Sequence, residues 1–327
     1  MSQTAPGVTP VNPRPPFPLG WYRVAWSDDL TPGSVLERLF LGGAIVAFRT
    51  DSGTAAVVAA HCPHLGANLG RGGTVVGEAI RCPFHGLRWT PEGTCTGSDY
   101  PGDPPYDQTL RSFPTVERAG AVLAWFDPAG GPPRFHLPDL AVDGWTPWSA
   151  TTIPLAVHVE TIHENGVDTA HFATVHGVRL SDFACAERGH VVHSEFNFAV
   201  PNFLREGPAE ITTFFDTDAH GPGYVVSVNT AEAVDLHYRV LLLPTPTEAG
   251  HLELTIATSV RRPAEGDRIG GVAVDEVADF MHRGAVGGVR QDQPIWEGLR
   301  YVDQPRLVRG DGPIPRFRHW ARQFHPA

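Results

Sequence analysis

The chain has 327 residues and a formal net charge of −11, enough length for two domains or one large one, either able to bury a core. An acidic balance of this size excludes the basic face that electrostatic nucleic-acid binding requires. Four cysteines are too few for a disulfide scaffold at this length, so metal binding is the better use for any that cluster.

Residues 1–19 open on "MSQTAPGVTPVNPRPPFP", with six prolines. They lack the basic-then-apolar order of a signal peptide and read as an extended arm lying against the body. No stretch reaches the roughly eighteen apolar residues of a membrane span. The best candidate, "VLERLFLGGAIVAF", is broken by Glu37 and Arg38. A cytoplasmic protein with no membrane span is expected.

Residues 20–128 read as a small all-β unit. Short apolar runs ("AIVAFRT", "AAVVAAH", "AVLAWFD") are separated by Gly, Asp and Pro turns. Within it, "HCPHLGANL" (61–69) and "RCPFHGLRW" (81–89) each carry one cysteine and one histidine. The stretch "FDPAGGPPRFHLPD" (126–139) can continue neither a helix nor a central strand and marks a boundary. Residues 129–327 begin a second unit. There "LAVHVETIHENGVDTAHFATVH" (155–176) predicts a helix, and strand-like runs follow at 195–201, 209–216, 223–230, 236–243 and 251–260. "GGVAVDEVADFMHRGAVGGVRQDQPIWEGLRYV" (270–302) returns to helical spacing. Strands grouped between helices in one continuous half indicate an α+β domain.

The two loops pose the first chemical question. A finger-type zinc site groups cysteines with cysteines and histidines with histidines. Here each arm carries one of each, Cys62-x-His64 and Cys82-x-x-His85. That suits a two-iron cluster with a thiolate pair on one iron and an imidazole pair on the other, the Rieske arrangement. A zinc knuckle and coincidental structural residues are the alternatives. His61 and Cys95 fall outside the pattern and read as ordinary loop or core residues.

A centre that moves one electron does no substrate chemistry, so a partner site is expected. "HENGVDTAHFATVH" supplies Asp168, His171 and His176. The two histidines are five apart, too far for one face of an ideal helix, so the helix must bend or unwind between them if both bind one ion. With a carboxylate they would form the two-His, one-carboxylate face of non-haem iron. Asp168, one helical turn before His171, is expected to bring its carboxylate beside that imidazole.

Cys62-x-His64 and Cys82-x-x-His85, followed by Asn165-x3-Asp168-x2-His171-x4-His176, resemble the oxygenase component of the Rieske non-haem iron oxygenases over nearly the whole chain. "PFPLGWYRVAWSDDLTPG", "CPHLGANLGRGG" and "QDQPIWEGLRYV" look most like the branch of 3-ketosteroid 9α-hydroxylase oxygenases and cholesterol 7-desaturases. This sequence is shorter than that branch, and no N-terminal membrane segment like that of the animal desaturases is expected in it.

The resemblance implies a Rieske [2Fe-2S] domain followed by a helix-grip, START-like catalytic domain of antiparallel sheet and long helices. It implies that Cys62 and Cys82 hold the buried iron of the cluster and His64 and His85 the outer one. His171 and His176 would hold a mononuclear Fe(II) with a C-terminal carboxylate, Asp292, for which Glu297, Asp279 and Asp303 compete. Asn165 and Asp168 are the catalytic candidates beside these ligands. In the family the position of Asp168 resembles a bridge to a Rieske histidine of a neighbouring subunit, which implies a homotrimer.

The implied activity is monooxygenation: O2 and external electrons used to hydroxylate or desaturate a bulky, hydrophobic, polycyclic substrate. The alternatives are hydroxylation or demethylation of a smaller ring compound, and a non-catalytic electron carrier. "LGGAIVAF" and "IGGVAVDE" lack the G-x-G-x-x-G spacing, so NAD(P)H would act through a separate reductase, with or without a ferredoxin. In the remaining pocket, Phe203, Phe214 and Phe215 are candidate lining residues or ordinary core. His158 and His163 read as structural, and Glu160 and Glu164 as surface residues.

Overall fold

The computed structural model describes residues 14–99 and 107–326. Residues 1–13 of the expected N-terminal arm lie outside it. The first half is built from short antiparallel strands, as the closely spaced turn signals require. One sheet joins Gly20–Trp26, Ala121–Phe126 and Thr115–Arg118, and a second joins Val35–Phe40, Gly43–Arg49, Ala55–Ala59 and Ser112–Phe113. A small third sheet of Thr74–Val76, Ala79–Arg81, Arg88–Trp89 and Cys95–Gly97 carries the second Cys/His loop between its middle strands.

Apart from a separate two-stranded ribbon of Arg268–Ile269 and Val272–Ala273, the second half is built on one antiparallel sheet of seven strands. Their spatial order is Ser149–Leu155, His251–Val260, Leu236–Glu248, Val225–Ala231, Glu210–His220, Val191–Pro201 and Ser181–Arg188. The five strand-like runs of the sequence fall inside it. The two edge strands were not legible: Ser149–Leu155 contains Pro154, which an edge tolerates, and Ser181–Arg188 is poor in β-branched residues.

Three helices complete this half: α1 (Val159–Val167), α2 (Val274–Gly298) and α3 (Ile314–Ala321). The single helix expected over 155–176 is cut short. Leu155 belongs to a strand, and α1 ends at Asp168, whose extended backbone (φ −80, ψ 101) caps it. α2 presents Ala285, Val289, Asp292 and Trp296 at helical spacing on one face, where all but Ala285 are buried. Burying apolar side chains such as Val289 and Trp296 stabilises by about 1.5–3 kcal/mol each. Asp292 is the one acid on that stripe.

The two halves share a core. Trp21, Leu123 and Trp125 of the first pack with Phe135, Leu241, Leu243 and Phe317 of the second. The Leu19 amide also donates to Phe324 O at 2.8 Å, tying the beginning of the first half to the end of the chain. Glu160 and Glu164 are not surface residues. Glu160 is buried and takes His325 Nε2 at 2.7 Å with Arg14 3.9 Å away, and Glu164 receives two bonds from Arg318. Both acids thereby fix α1 against the two chain ends.

Candidate functional site

Two loops of the same construction bring Cys62, His64, Cys82 and His85 together. In the first, the Cys62 amide donates to Ala67 O and the Gly66 amide to Cys62 O, both at 2.9 Å. In the second, the Cys82 amide donates to Leu87 O at 2.7 Å and the Gly86 amide to Cys82 O at 3.1 Å. Gly66 and Gly86, each four residues after its cysteine, have φ of +76 and +70, a region that a Cβ disfavours. Within this common frame the histidines differ by one place, which is why one motif reads C-x-H and the other C-x-x-H.

The rings of His64 and His85 stand 4.6 Å apart between centroids, while both thiols are buried. Burial pushes the Cys62 thiol up from its ordinary value, and the adjoining Cys82 adds to this. The His64 backbone N–H and the Trp89 indole N–H, both aimed at its sulfur, oppose the shift. Two thiols crowded into an apolar setting are poor thiolates unless a metal takes both charges. The donor set therefore fits a cluster with sulfur on its buried side and imidazole outside. His61 bridges to Asn68, and Cys95 donates to Gly97 O at 3.7 Å, both apart from the four.

The second centre depends on an irregular helix. Between His171 and Gly177 the chain widens into a single π turn, Phe172–His176. A π turn bonds residue i to i+5 and is frequent at functional sites. Five residues therefore separate two side chains on one face, and the rings of His171 and His176 lie 5.2 Å apart. The expected bend takes this form. Asp292 of α2 completes the group: ligand atoms of His171, His176 and Asp292 all lie within 4.8 Å of one another.

The surrounding hydrogen bonds set both imidazoles. His171 Nδ1 donates to Asp168 O at 2.6 Å, and His176 Nδ1 to Gln291 Oε1 at 2.8 Å. Each ring is left with its Nε2 lone pair, the form a metal binds. The Asn165 amide reaches both His171 Nε2 (3.2 Å) and Asp292 Oδ2 (3.3 Å). Burial pushes the Asp292 carboxyl up, opposed by His176, His171 and Asn165; burial likewise lowers His171, opposed by Asp292. A nitrogen pair with one carboxylate, partly desolvated and pre-oriented, fits a divalent iron.

One expectation changes here. The carboxylate of Asp168 does not bond His171; it lies 3.9 Å from Nδ1, and the backbone carbonyl takes that proton instead. The cause is the end of α1 at Asp168, which turns the side chain to accept from the Ala170 amide. That carboxylate is 37% exposed. The competitors stand apart: Glu297 accepts from Gln293, and Asp279 and Asp303 are exposed. Gln291 escaped sequence reasoning, since nothing marks one glutamine of an exposed helix face.

A cavity of about 290 Å³ opens beside His176 and Asp292, between α2 and the sheet. Phe172, Phe196, Phe215 and Trp296 form its aromatic walls, and no lysine or arginine lines it among the described residues. Of the phenylalanines singled out in the sequence, only Phe215 is there. Phe214 points to the other face and is exposed, and Phe203 stacks on Phe280 at 4.0 Å. His158 caps α1 by accepting from Glu160 N, and His163 lines the cavity while bonding Pro222 O at 2.6 Å.

A Rieske [2Fe-2S] domain model matches residues 20–114, and a 3-ketosteroid 9alpha-hydroxylase C-terminal domain model matches residues 124–325. A 3-ketosteroid-9-alpha-monooxygenase oxygenase component of Rhodococcus rhodochrous is 30% identical, over 94% of this chain and 81% of that protein. A cholesterol 7-desaturase of Bombyx mori is also 30% identical, over 95% of this chain and 70% of that one. Among solved structures, dicamba monooxygenase bound to 3,6 dichlorosalicylic acid aligns with a TM-score of 0.73 at 19% identity, over 93% of this chain and 96% of that one. Pseudomonas putida NdmA with caffeine gives 0.67 at 17%, over 92% and 89%.

Proposed function

We propose, for a chain that belongs to the Rieske oxygenases with a 3-ketosteroid 9α-hydroxylase catalytic domain, that it hydroxylates or desaturates a neutral, mostly apolar polycyclic compound. The family makes it an oxidoreductase that incorporates molecular oxygen, with a Rieske [2Fe-2S] cluster and a mononuclear iron as cofactors. No helix among the described residues is long and apolar enough to cross a membrane.

Cys62, Cys82, His64 and His85 hold the cluster in this proposal, and His171, His176 and Asp292 the mononuclear iron. When bound, that iron supplies oxygen activation at a face with open positions. The chain's own residues do the rest. Gln291 and the Asp168 carbonyl fix the two histidine tautomers, Asn165 steadies Asp292, and the aromatic walls seat the substrate and exclude water.

Electrons come from a separate NAD(P)H-dependent reductase, directly or through a ferredoxin, in the cytoplasm. They pass between chains of a homotrimer, from the cluster of one subunit past Asp168 of the next. The exposed Asp168 carboxylate supports this, as do Leu65 and Phe84, exposed apolar residues beside His64 and His85.

The observation that carries the substrate assignment is the apolar cavity beside His176 and Asp292, lined by no lysine or arginine among the described residues. A carboxylated substrate would find no lysine or arginine to pair with among the described lining residues. The cavity's size favours a second reading, oxidation or demethylation of a smaller ring compound. At about 290 Å³ it falls just below the roughly 300–1,000 Å³ of ligand sites.

The test begins with anaerobic metal analysis, for which about three irons and two sulfides per chain are expected. Neutral ring compounds of graded size are then supplied with reductase, NADH and O2. Products that gain one oxygen or lose two hydrogens support the assignment. Turnover confined to benzoates would reject it.

A further inference from the structure

Three hydroxyls interrupt the apolar wall of the cavity, and the sheet register sets them in one row. Ser194 pairs with Thr217, and Thr217 with Ser227, on three adjacent strands. All three line the cavity. Neighbours across strands on one face hold their Cβ atoms about 5 Å apart.

The row has a direction. The Ser227 hydroxyl donates to Asn229 Oδ1 at 2.7 Å. A serine has one hydrogen to give. The 2.7 Å contact between Thr217 Oγ1 and Ser227 Oγ is therefore donated by Thr217. With its hydrogen spent, Thr217 faces the cavity with lone pairs only. Ser194, buried at the head of the row, makes no hydrogen bond among the described residues and keeps its hydrogen to give.

Behind the row the fully buried Asn229 leaves its Nδ2 without a partner among the described residues. A buried donor left unpaired is costly in an ordinary core. A polar chain held in an apolar wall at that cost marks a binding position more than a packing solution.

We infer that Ser194 and Thr217 form a recognition point for one hydroxyl group on an otherwise apolar, uncharged substrate. An alcohol fits both partners, accepting from Ser194 and donating to Thr217, whereas a ketone can use only Ser194. A hydrocarbon leaves both hydroxyls dry and unpaired, and sites built to bond a hydroxyl discriminate strongly against analogues that lack it. Ser227 and Asn229 act through Thr217 and are positioning residues. The inference deepens the proposed function and rests on its assignment of this cavity to the substrate.

The test needs no reductase. Dissociation constants for 2-decalol, 2-decalone and decalin, three ligands on one carbon frame, are read from tryptophan fluorescence of the full chain, since Trp296 lies on the cavity wall. The alcohol is expected to bind about fivefold tighter than the ketone, and the ketone about fivefold tighter than the hydrocarbon. Thr217→Val should erase the advantage of alcohol over ketone. Ser194→Ala should weaken both polar ligands. Decalin, which no longer leaves that hydroxyl dry, should bind at least as tightly as before, and this also shows that the cavity still folds. Ser227→Ala should narrow the alcohol–ketone gap, because Thr217 is then free to turn its hydrogen into the cavity. Equal binding of alcohol and ketone, or an alcohol preference that survives Thr217→Val, overturns the hydroxyl point alone. Failure of all three ligands to bind overturns the assignment of the cavity itself.

Discussion

The four residues assigned to the cluster fall between Cys62 and His85, whereas the three assigned to the mononuclear iron run from His171 to Asp292. The first set is positioned by local turns, two loops with matching hydrogen bonds and a glycine at the same place in each. The second is positioned by packing: α1 must end at Asp168, the next turn must widen, and α2 must lie across the sheet with its apolar stripe inward. A centre made of turns survives changes elsewhere in the chain. One assembled from three elements inherits every error in their packing.

That difference can be broken most severely at Asp292. Asp292→Ala removes the only acid on the buried face of α2, leaving the two imidazoles without a carboxylate. The variant is expected to lose the mononuclear iron and to fall in turnover by more than the roughly 10–100-fold typical of losing an outer partner. Metal analysis should show about one iron fewer per chain, with the low-average-g electron paramagnetic resonance signal of the reduced cluster unchanged. Retained iron in this variant and its loss in Glu297→Ala would move the role to Glu297.

A smaller effect is expected at Gln291, which touches the centre only through His176. Gln291→Ala frees the His176 ring to rotate or change tautomer. Iron affinity, measured by titrating anaerobic apo-protein, should weaken by about 10–100-fold. Rescue by Gln291→Glu, which keeps an acceptor at that place, would separate ring orientation from general packing. No change in affinity would mean that packing alone holds His176.

The same contrast explains what could be read from the sequence. Both loops were legible because ligand spacing and turn residues lie within a few positions of one another. His171 and His176 were legible as a pair, and their spacing demanded an irregular helix, but only the structure shows a π turn. Asp292 is legible only through the resemblance that "QDQPIWEGLRYV" carries, and its place on the stripe Ala285, Val289, Asp292 and Trp296 comes from the structure. Gln291 carried no signal of its own. The row of Ser194, Thr217 and Ser227 was invisible, because only the pairing of three strands makes neighbours of residues this far apart. The helix expected over 155–176 overshot because the periodicity continues past Asp168, where the backbone turns extended and the carbonyl takes His171 Nδ1 instead of carrying the helix on.

The finest test lies within the cluster loops themselves, whose matching hydrogen bonds suggest equal sensitivity at Gly66 and Gly86. Their surroundings are unequal. Both have positive φ, and placing a Cβ there costs about 1–2 kcal/mol. At Gly66 a Cβ would meet nothing within 4 Å. At Gly86 it would run into the Asp99 carboxylate, which is held in place by Arg81 and Arg88. Gly66→Ala should therefore lose only the backbone cost, read as a lowered denaturation midpoint with the cluster still bound. Gly86→Ala should lose more, because Asp99 must move and release its arginines, and cluster content on purification should fall with it. Adding Asp99→Ala to Gly86→Ala opens the space and should return the double variant toward the behaviour of Gly66→Ala. Equal losses in the two single variants would show that backbone conformation alone governs both loops, and that the salt bridges at Asp99 contribute nothing to the cluster.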